Sequence, residues 1–385
     1  VSAFSRFFTV LWMIFSTTLG ILIMQLMSEV DKDSEYVNAL VMVLIYLVIV
    51  IGSGGYGFFP KIWMWTYTGV YFGMIKQYMD IWISEKEKTR PESVNILGLK
   101  VDNVDTDESI DIIDELAKKK GSGLVITPYS EFFVKIRKNK EYKKSLEAAD
   151  LSLADGIYVN WASLYQRLPV STNIFIRLFQ SVWQYVFTGA SIVLFPRLVR
   201  TVVKARVSGS DIIYPVCRLA AKRKYKVMLY GGFDFGNGNT GVIAAKKLKS
   251  VYKGLNIVNV YPGDKKKEND DEAQELINKY QPDILFMCLG TREPEWLYKR
   301  KNKLKFGVAF ALGGTFDYVA GDAVKVKKEI SESGLEWLAR PVMLIGTGGI
   351  KTAWKRFKRV WTGMLVGSFL VLAWKVKFGY IEEDK

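Results

Sequence analysis

One carboxylate of this chain stands where an apolar run ends, in the sequence Leu151-Ser-Leu-Ala-Asp155-Gly156. If that run is a strand of a parallel sheet, Asp155 lies at the carboxyl end of the strand, where such sheets bind their ligands. A carboxylate in that place can accept a proton from an attacking hydroxyl group. The alternative is structural, because Asp is also a preferred N-cap of a helix. Asp155 by itself leaves both interpretations open.

The residue types that are missing exclude several kinds of catalytic site. The chain has 385 residues and no histidine, which excludes Ser-His and Cys-His nucleophile pairs and histidine-based zinc sites. A general base must therefore be Asp, Glu, Lys or Tyr. The two cysteines, Cys217 and Cys288, are too few for a disulfide framework and indicate a reducing compartment.

Glycines end three predicted strands. Gly231-Gly232, Gly290 and Gly313-Gly314 each follow an apolar run, which predicts places where the backbone approaches a ligand closely. Elsewhere, Ser210 and Asp211 stand at the start of a predicted helix, where they either cap the helix or accept hydrogen bonds from a ribose.

Two further motifs carry less weight. The stretch Gly236–Gly241 matches the dinucleotide pattern GxGxxG, but no acidic residue ends the next strand, so an NAD-dependent oxidoreductase or epimerase is only a minor alternative. The Asp-x-Asp pairs Asp31/Asp33 and Asp105/Asp107 fit an acidic loop and a helix start better than a metal site. We therefore expect neither a metal nor another cofactor.

Short apolar runs alternate with helical periodicity from about Val94 onward. This alternation predicts an α/β, Rossmann-like fold with a mainly parallel sheet and helices on both faces. A capping signal at Asp105 and Glu108 starts the first helix. The predicted strands are Leu124–Thr127, Leu151–Ala154, Lys226–Tyr230, Asn256–Val260, Asp283–Leu289 and Val308–Leu312. The predicted helices are Thr106–Lys120, Glu131–Leu146, Asp211–Lys224, Gly241–Tyr252, Asp271–Tyr280 and Glu295–Leu304.

Residues 1–83 are predicted to form a membrane region. Two uncharged stretches, 7–27 and 37–59, are each long enough to cross a hydrocarbon core of about 30 Å as a helix. The aromatic-rich stretch 62–83 is either an interfacial helix or a third span. The distribution of Lys and Arg favours both ends of the hairpin on the cytoplasmic side. Residues 84–93 are interpreted as a linker.

Two apolar segments interrupt the pattern of an ordinary water-soluble domain. Residues 174–203 lie within an apolar insertion at about 168–205 and are interpreted as a membrane-dipping helix or helical hairpin, with a buried helix as the alternative. Residues 361–374 follow a basic run in a C-terminal appendage, 341–385, and suit a membrane interface. The formal net charge of +15 fits contact with an anionic bilayer or phosphorylated substrates.

The remaining stretch, 94–340, resembles the WecG/TagA/CpsF glycosyltransferase family. The resemblance depends on an ordered set of motifs rather than on any one of them. These motifs are Ile126-Thr-Pro-Tyr-Ser-Glu-Phe132, Ala149-Asp-Leu-Ser-Leu-Ala-Asp-Gly156, Arg206-Val-Ser-Gly-Ser-Asp211, Gly231-Gly232, Leu289-Gly-Thr-Arg-Glu-Pro-Glu-Trp296, Leu312-Gly-Gly-Thr-Phe-Asp-Tyr-Val-Ala-Gly321 and Gly334-Leu-Glu-Trp337.

The resemblance implies inverting transfer of a sugar, typically N-acetylmannosamine or its uronate, from a UDP donor to polyprenyl-diphosphate-linked N-acetylglucosamine without a catalytic metal. It implies that Asp155 is the general base. The acceptor diphosphate and the membrane are assigned to Arg206, Lys355, Arg356 and Arg359. Donor binding is assigned to Thr127, Tyr129, Gly156, Ser210, Asp211, Gly231, Gly232, Gly290, Thr291, Glu295, Gly313, Gly314 and Asp317.

The chain departs from the family at two motifs. Tyr129 stands where the family usually has Asn, and Arg292-Glu-Pro-Glu295 replaces a Pro-Lys-Gln-Glu stretch, so the donor sugar is left open. The alternative to an enzyme is a non-catalytic membrane scaffold for polysaccharide assembly. The expected location is the cytoplasmic membrane, with the catalytic domain facing the cytoplasm. The expected partners are the two substrates and membrane lipids; self-association is left open, and nucleic acid is not expected.

Overall fold

The structure is a computed structural model that describes residues 83–84, 86–88, 90–234, 236, 238–262, 271–321 and 363–379. The chain divides into two compact units. The first comprises Val1–Thr89, Arg167–Tyr185 and Lys375–Lys385, and the second comprises Arg90–Gln166 and Val186–Trp374. The predicted spans 7–27 and 37–59 and nearly all of 62–83 lie outside the described residues, as do Lys355, Arg356 and Arg359.

A six-stranded sheet forms the centre of the second unit, with the strand order β4-β3-β8-β7-β5-β6. Every neighbouring pair in this sheet is parallel. A separate antiparallel hairpin, β1 and β2, precedes it. The strands are β1 (Ser93–Ile96), β2 (Leu99–Asp102), β3 (Gly123–Ile126), β4 (Leu151–Ser152), β5 (Lys226–Gly231), β6 (Asn256–Tyr261), β7 (Ile284–Cys288) and β8 (Val308–Ala311).

Helices connect these strands, as parallel pairing requires. The helices are α1 (Thr106–Lys119), α2 (Ser130–Lys138), α3 (Lys140–Glu147), α4 (Ile157–Arg167), α5 (Ile174–Leu194), α6 (Pro196–Val199), α7 (Gly209–Arg223), α8 (Thr240–Val251), α9 (Asp271–Tyr280), α10 (Glu293–Arg300) and α11 (Thr315–Ala320). A further helix, α12, covers 363–378.

The central strands are buried on both faces, which is why they are continuous apolar runs rather than alternating ones. All residues of β3, β7 and β8 are buried. Phe286 and Phe310, on the neighbouring strands β7 and β8, pack with ring centroids 5.2 Å apart. The α/β class with a mainly parallel sheet is thus confirmed, and all six predicted strands are present.

The helical predictions differ from the structure where one predicted helix is divided and where helices such as α4 and α11 were not predicted. The predicted helix Glu131–Leu146 is two helices, because Asn139 adopts an extended backbone and its side chain accepts a hydrogen bond from the Tyr142 amide at 3.0 Å. The helix α4 was not predicted, because nearly all of its residues are buried and it therefore shows little amphipathic period. At α1, by contrast, the predicted capping box of Asp105 and Glu108 is present.

The apolar insertion contains one long helix rather than a hairpin of two, since α5 runs without a break from Ile174 to Leu194. The short helix α6 follows it, with Pro196 in its first turn. Within the parts of the chain that the structure describes, no helix combines the length and the apolar character needed to cross a membrane.

Candidate active site

The carboxyl ends of all six parallel strands lie along one edge of the sheet. From β5 the chain turns to its outer neighbour β6, whereas from β7 it turns the other way to β8. In open α/β sheets such a reversal marks the ligand-binding crevice, which here would lie outside the carboxyl ends of β5 and β7. Asp155 follows β4, three strands away from β7, a separation of about 14 Å at roughly 4.8 Å per strand. An elongated ligand is required to reach both places.

Asp155 is held by backbone contacts on both sides. Its amide donates to the Pro128 carbonyl at 3.3 Å, and the carbonyl of Ala154 accepts from the Val207 amide at 2.8 Å. The second contact brings the neighbouring Arg206 close, with its Nε 3.8 Å from Asp155 Oδ1. The two side chains are 20% and 24% exposed, so the pair is accessible to a substrate while still partly shielded from water.

The chain segment that leads to Arg206 is fixed by buried polar side chains. Asn103 Nδ2 donates to the Pro91 and Val202 carbonyls at 2.8 and 2.9 Å, and Asn103 Oδ1 accepts from the Lys204 amide at 2.8 Å. Asn160 Nδ2 adds a bond of 3.0 Å to the Val203 carbonyl. These hydrogen bonds fix the chain segment that follows the insertion, and this segment places Arg206 beside Asp155.

Two of the strand-end glycines are required by close packing of the backbone. A Cβ atom at Gly231 would lie 2.4 Å from the Cys288 carbonyl oxygen, and one at Gly232 would lie 2.5 Å from the Gly241 amide nitrogen. No side chain fits there. These glycines are thus explained by contact between β5, β7 and the start of α8, without any ligand.

Gly290 and Gly313 are different, because space is open beside them. They form an antiparallel bridge between the loops that follow β7 and β8. Their φ angles of 82° and 61° favour glycine, and a Cβ atom at either would meet nothing within 4 Å. At these two positions the open space lets a ligand approach the backbone.

A buried carboxylate, Glu293, joins the same two loops. Its Oε1 accepts hydrogen bonds from the Leu289 amide at 2.7 Å and the Gly313 amide at 3.1 Å. The residue is 0% exposed, and its second oxygen, Oε2, is buried with no hydrogen-bond partner among the described residues. Burial raises the pKa of Glu293 to about 7, against the opposing effect of these amide bonds.

Several predicted donor-binding residues are instead engaged with the protein. Ser208 Oγ lies 3.0 Å from Ser210 Oγ and donates to Asp211 Oδ2 at 2.6 Å. Asp317 Oδ1 accepts from Thr240 Oγ1 at 2.9 Å, which ties α11 to the start of α8. Glu295 forms an ion pair of 2.9 Å with Lys299 on the same helix. Their assignment to a donor stays a prediction.

Five other predicted donor-binding residues lie at the carboxyl edge of the sheet. Thr127, directly after β3, is buried, with Oγ1 3.4 Å from the Ala311 carbonyl oxygen. Tyr129 is the N-cap residue of α2, and its hydroxyl donates to Glu131 at 3.1 Å. Thr291 contacts Lys135 Nζ through its hydroxyl. Gly314 is the N-cap residue of α11. Gly156, next to Asp155, has a φ angle of 94°.

In the dinucleotide-like stretch, the amides of Gly236, Gly238, Gly241 and Val242 are bonded within the loop. Asp234 Oδ1 accepts from the amides of Gly236 and Gly238, and Asn239 caps α8 through the amides of Gly241 and Val242. The amide donors that would hold a pyrophosphate are thus already bonded. For metals, no group of three or more acidic or cysteine side chains suited to holding an ion occurs within the described residues.

Among the residues that shape this site, Glu293, Asn103 and Asn160 were not predicted from the sequence. Glu293 lies inside the quoted motif of residues 289–296, but as one charged residue among several near a helix start it gives no sign of its complete burial. Asn103 follows a strand that was not predicted. Its partners lie up to 101 residues away in the chain, so the contact has no local sequence signal.

Sequence comparisons connect this geometry to known proteins. The model of the glycosyl transferase WecG/TagA/CpsF family matches residues 94–185 and 171–378. Three similar proteins are each named N-acetylglucosaminyldiphosphoundecaprenol N-acetyl-beta-D-mannosaminyltransferase. They come from Bacillus subtilis (24% identity over 40% of this chain), Bacillus spizizenii (23% over 58%) and Staphylococcus aureus (21% over 52%). The matched regions span 59%, 72% and 71% of those proteins, respectively.

The family match covers the whole parallel sheet, the Asp155–Arg206 pair and the open glycine loops. It also extends to the end of α12, at residue 378. The chain therefore belongs to the WecG/TagA/CpsF family of glycosyltransferases.

Proposed function

We propose that this protein is a membrane-associated inverting glycosyltransferase. It moves N-acetylmannosamine, or a related hexosamine or uronate, from a UDP donor to polyprenyl-diphosphate-linked N-acetylglucosamine. The acceptor and the mannosaminyl group follow the names of the similar proteins. The observation that carries the proposal is the position of Asp155, partly exposed beside Arg206 at the ligand-binding edge of the sheet.

In this reaction Asp155 accepts the proton of the acceptor hydroxyl while the hydroxyl oxygen attacks the anomeric carbon of the donor sugar. The bond from that carbon to the UDP oxygen breaks, and UDP leaves with the bonding electrons. Attack from the side opposite to UDP inverts the configuration. The base and the leaving group must therefore lie on opposite sides of the sugar.

The separation between Asp155 and the ends of β5 and β7 leaves room for a sugar between the base and the leaving group. We place UDP at the ends of β5 and β7, where the backbone at Gly290 is open, with the sugar extending from there toward Asp155. Developing charge on the diphosphate requires amide groups or cations. Glu293 already holds the Leu289 and Gly313 amides, so we assign the other amides of the loops at Gly290 and Gly313 to the departing diphosphate. Arg206 lies next to the base, on the side of the acceptor. We assign Arg206 to the diphosphate of the acceptor.

The lipid-linked acceptor accounts for the apolar stretches of the chain. Residues 7–27 and 37–59 suit membrane spans, and 341–385 carry the basic run that includes Lys355, Arg356 and Arg359. We propose that these cations meet anionic headgroups or the acceptor diphosphate, and that the catalytic domain faces the cytoplasm.

The test is UDP release from a panel of UDP-sugars, with and without the polyprenyl-diphosphate N-acetylglucosamine acceptor, in the presence of EDTA. We expect acceptor-dependent release that Asp155→Asn lowers by about 10²- to 10⁴-fold, the usual contribution of a general base. Donor binding by the variant, followed by calorimetry, should be unchanged. The control is Asp111→Asn, an exposed position on α1.

Unchanged turnover in Asp155→Asn would remove this residue from the mechanism. Loss of activity in EDTA would show that the reaction needs a metal. If no donor released UDP in the wild-type protein, the scaffold alternative would be favoured, because a scaffold binds its partners without turnover.

A further inference from the structure

The helix α5 is inverted relative to a helix of a water-soluble protein. Its polar side chains Ser181, Gln184, Thr188 and Ser191 recur every three or four residues and are buried. Its large apolar side chains lie on the opposite side and are exposed. Those exposed side chains are Ile174, Phe175, Leu178, Phe179, Val182, Trp183, Val186 and Val193.

In the first unit, the polar side of α5 is occupied by specific hydrogen bonds. Gln184 Oε1 accepts from Lys375 Nζ at 2.6 Å, and Gln184 Nε2 donates to the Pro169 carbonyl at 2.8 Å. Lys375 is itself fully buried. These contacts fix the rotation of the helix, so its apolar side cannot turn inward without breaking them.

The part of α5 that belongs to the second unit shows the same arrangement. Thr188 Oγ1 accepts from Trp161 Nε1 at 2.9 Å, and Ser191 Oγ donates to the Phe187 carbonyl at 2.8 Å. Val186 and Val193 are exposed. The inversion therefore continues along the helix and does not result from one misplaced side chain.

Water does not favour this arrangement. Phe175 is 81% exposed and Phe179 is 71% exposed, and each Å² of apolar surface left in water costs about 25 cal/mol relative to burial. In hydrocarbon the preference reverses, because polar groups must find partners within the protein and apolar side chains can face the lipid. A helix buried on all sides would not expose these phenylalanines.

The composition of the exposed side favours lipid over a second protein. Phe175, Leu178, Phe179 and Val182 offer no hydrogen-bonding group, whereas protein interfaces carry about one hydrogen bond per 100–200 Å². The only charged residue of α5, Arg177, bonds the Ser171 and Thr172 carbonyls at the helix start, at 3.0 and 2.7 Å. Its charge is thus held at one end of the apolar surface.

We infer that the apolar side of α5, centred on Phe175, Leu178, Phe179 and Val182, contacts the acyl chains of a phospholipid bilayer. The inserted helix is then a membrane contact within the sequence of the catalytic region, in addition to the N-terminal stretches. The inference concerns lipid contact alone and needs no sugar transfer.

The test places a fluorophore on this surface. Cys217 and Cys288 are free and buried, so a cysteine introduced by Phe179→Cys can be labelled selectively with a nitrobenzoxadiazole group. The matched control is Val251→Cys, an exposed apolar position on α8. Both full-length variants are reconstituted in vesicles of phosphatidylethanolamine and phosphatidylglycerol, with or without bromine on the acyl chains.

We expect the label at 179 to emit at shorter wavelength in vesicles and to lose most of its emission when the acyl chains are brominated, while aqueous iodide has little effect. The label at 251 should show no shift to shorter wavelength, should be quenched by iodide and should be little affected by brominated acyl chains. Emission at 179 that iodide quenches and brominated lipid does not would overturn the inference. So would protection of the label from both quenchers, which indicates a protein partner instead.

Discussion

Glu293 shows how much a single buried residue contributes to the geometry of this site. One carboxylate oxygen holds amides from the loops after β7 and β8, the two loops that meet at Gly290 and Gly313. Because the side chain is fully buried and Oε2 has no hydrogen-bond partner in the part of the chain that the structure describes, the charged form is disfavoured. The protonated form keeps the two amide bonds through Oε1 and avoids a buried charge.

This burial predicts a pH-dependent stability. The folded-state pKa of Glu293 is about 7, above the ordinary value of 4.5, so the folded state binds the proton more tightly. Stability from this group is fully present below about pH 4.5 and is lost as the pH rises to about 7. The difference amounts to roughly 3 kcal/mol, at about 1.4 kcal/mol per pKa unit.

The variant Glu293→Gln should remove this dependence, because the amide keeps an acceptor oxygen and cannot ionise. Its stability relative to wild type should therefore rise between pH 5 and 7 and then level off. The measurement is chemical unfolding of both proteins in detergent across that range. A difference in unfolding free energy that is the same at every pH would contradict the assignment. A constant offset in addition to the rise would reflect only the cost of burying the amide nitrogen of Gln.

Gly290 and Gly231 should respond differently to the same substitution. Gly290→Ala places a methyl group in open space, so we expect a stability loss of about 1 kcal/mol from the positive φ angle and a raised KM for the donor. Gly231→Ala drives the methyl group into the Cys288 carbonyl, and the loss should reach about 3 kcal/mol. Melting temperatures and donor kinetics distinguish the two, and equal effects of both substitutions would be inconsistent with open space at Gly290.

Among the elements, the apolar insertion is compatible with the site because hydrogen bonds fix the chain segment that leads from the insertion to Arg206. Arg90 donates to the Arg200 and Thr201 carbonyls at 3.1 and 3.0 Å, before Asn103 and Asn160 hold the next residues. The insertion can thus carry its own helix without displacing Arg206.

We expect Asn103→Ala to lower stability by about 3 kcal/mol, because one buried carbonyl, one partly buried carbonyl and one amide lose their partner. Turnover should fall more than donor affinity, since Arg206 and Asp155 lose their relative position while the crevice at β7 does not. The control is Asn95→Ala, which removes one exposed turn bond to the Gly98 amide. If Asn103→Ala lost no more stability and turnover than the control, Asn103 would not be what holds this segment in place.

The elements themselves were predicted unevenly. Six parallel strands were recognised because each is a short apolar run bounded by turn residues, and parallel sheets bury such runs on both faces. The hairpin β1–β2 was missed, and α4 was missed because its burial removes the helical period. The break at Asn139 depends on one side-chain cap that the surrounding helical pattern conceals.

At the scale of the whole molecule, two independent features support the proposed contact of the chain with lipid. One is the uncharged stretches near the N-terminus, and the other is the exposed apolar side of α5. An enzyme with a polyprenyl-linked acceptor benefits from both, because its substrate is confined to the same surface.

We therefore expect the double variant Phe175→Ser and Phe179→Ser to turn over a polyprenyl-linked acceptor in vesicles more slowly than wild type. With a short-chain, water-soluble acceptor in detergent, the two proteins should be equally active, because neither residue lies at the strand ends. The measurement compares kcat/KM for the two acceptors. Equal loss on both would indicate a folding defect instead of a lost lipid contact.

Local patterns were enough to predict the α/β class, the six strands of the parallel sheet and the place of Asp155 at a strand end, because strand periodicity and turn residues are local properties of the chain. The family also followed from the order of its motifs. The folded structure was needed to learn that Gly231 is required for packing while Gly290 borders open space, that Glu293 is buried between two loops, and that α5 turns its polar side inward. Each of these depends on contacts between residues far apart in the chain, and burial is a property of the neighbours that folding brings together rather than of the residue itself.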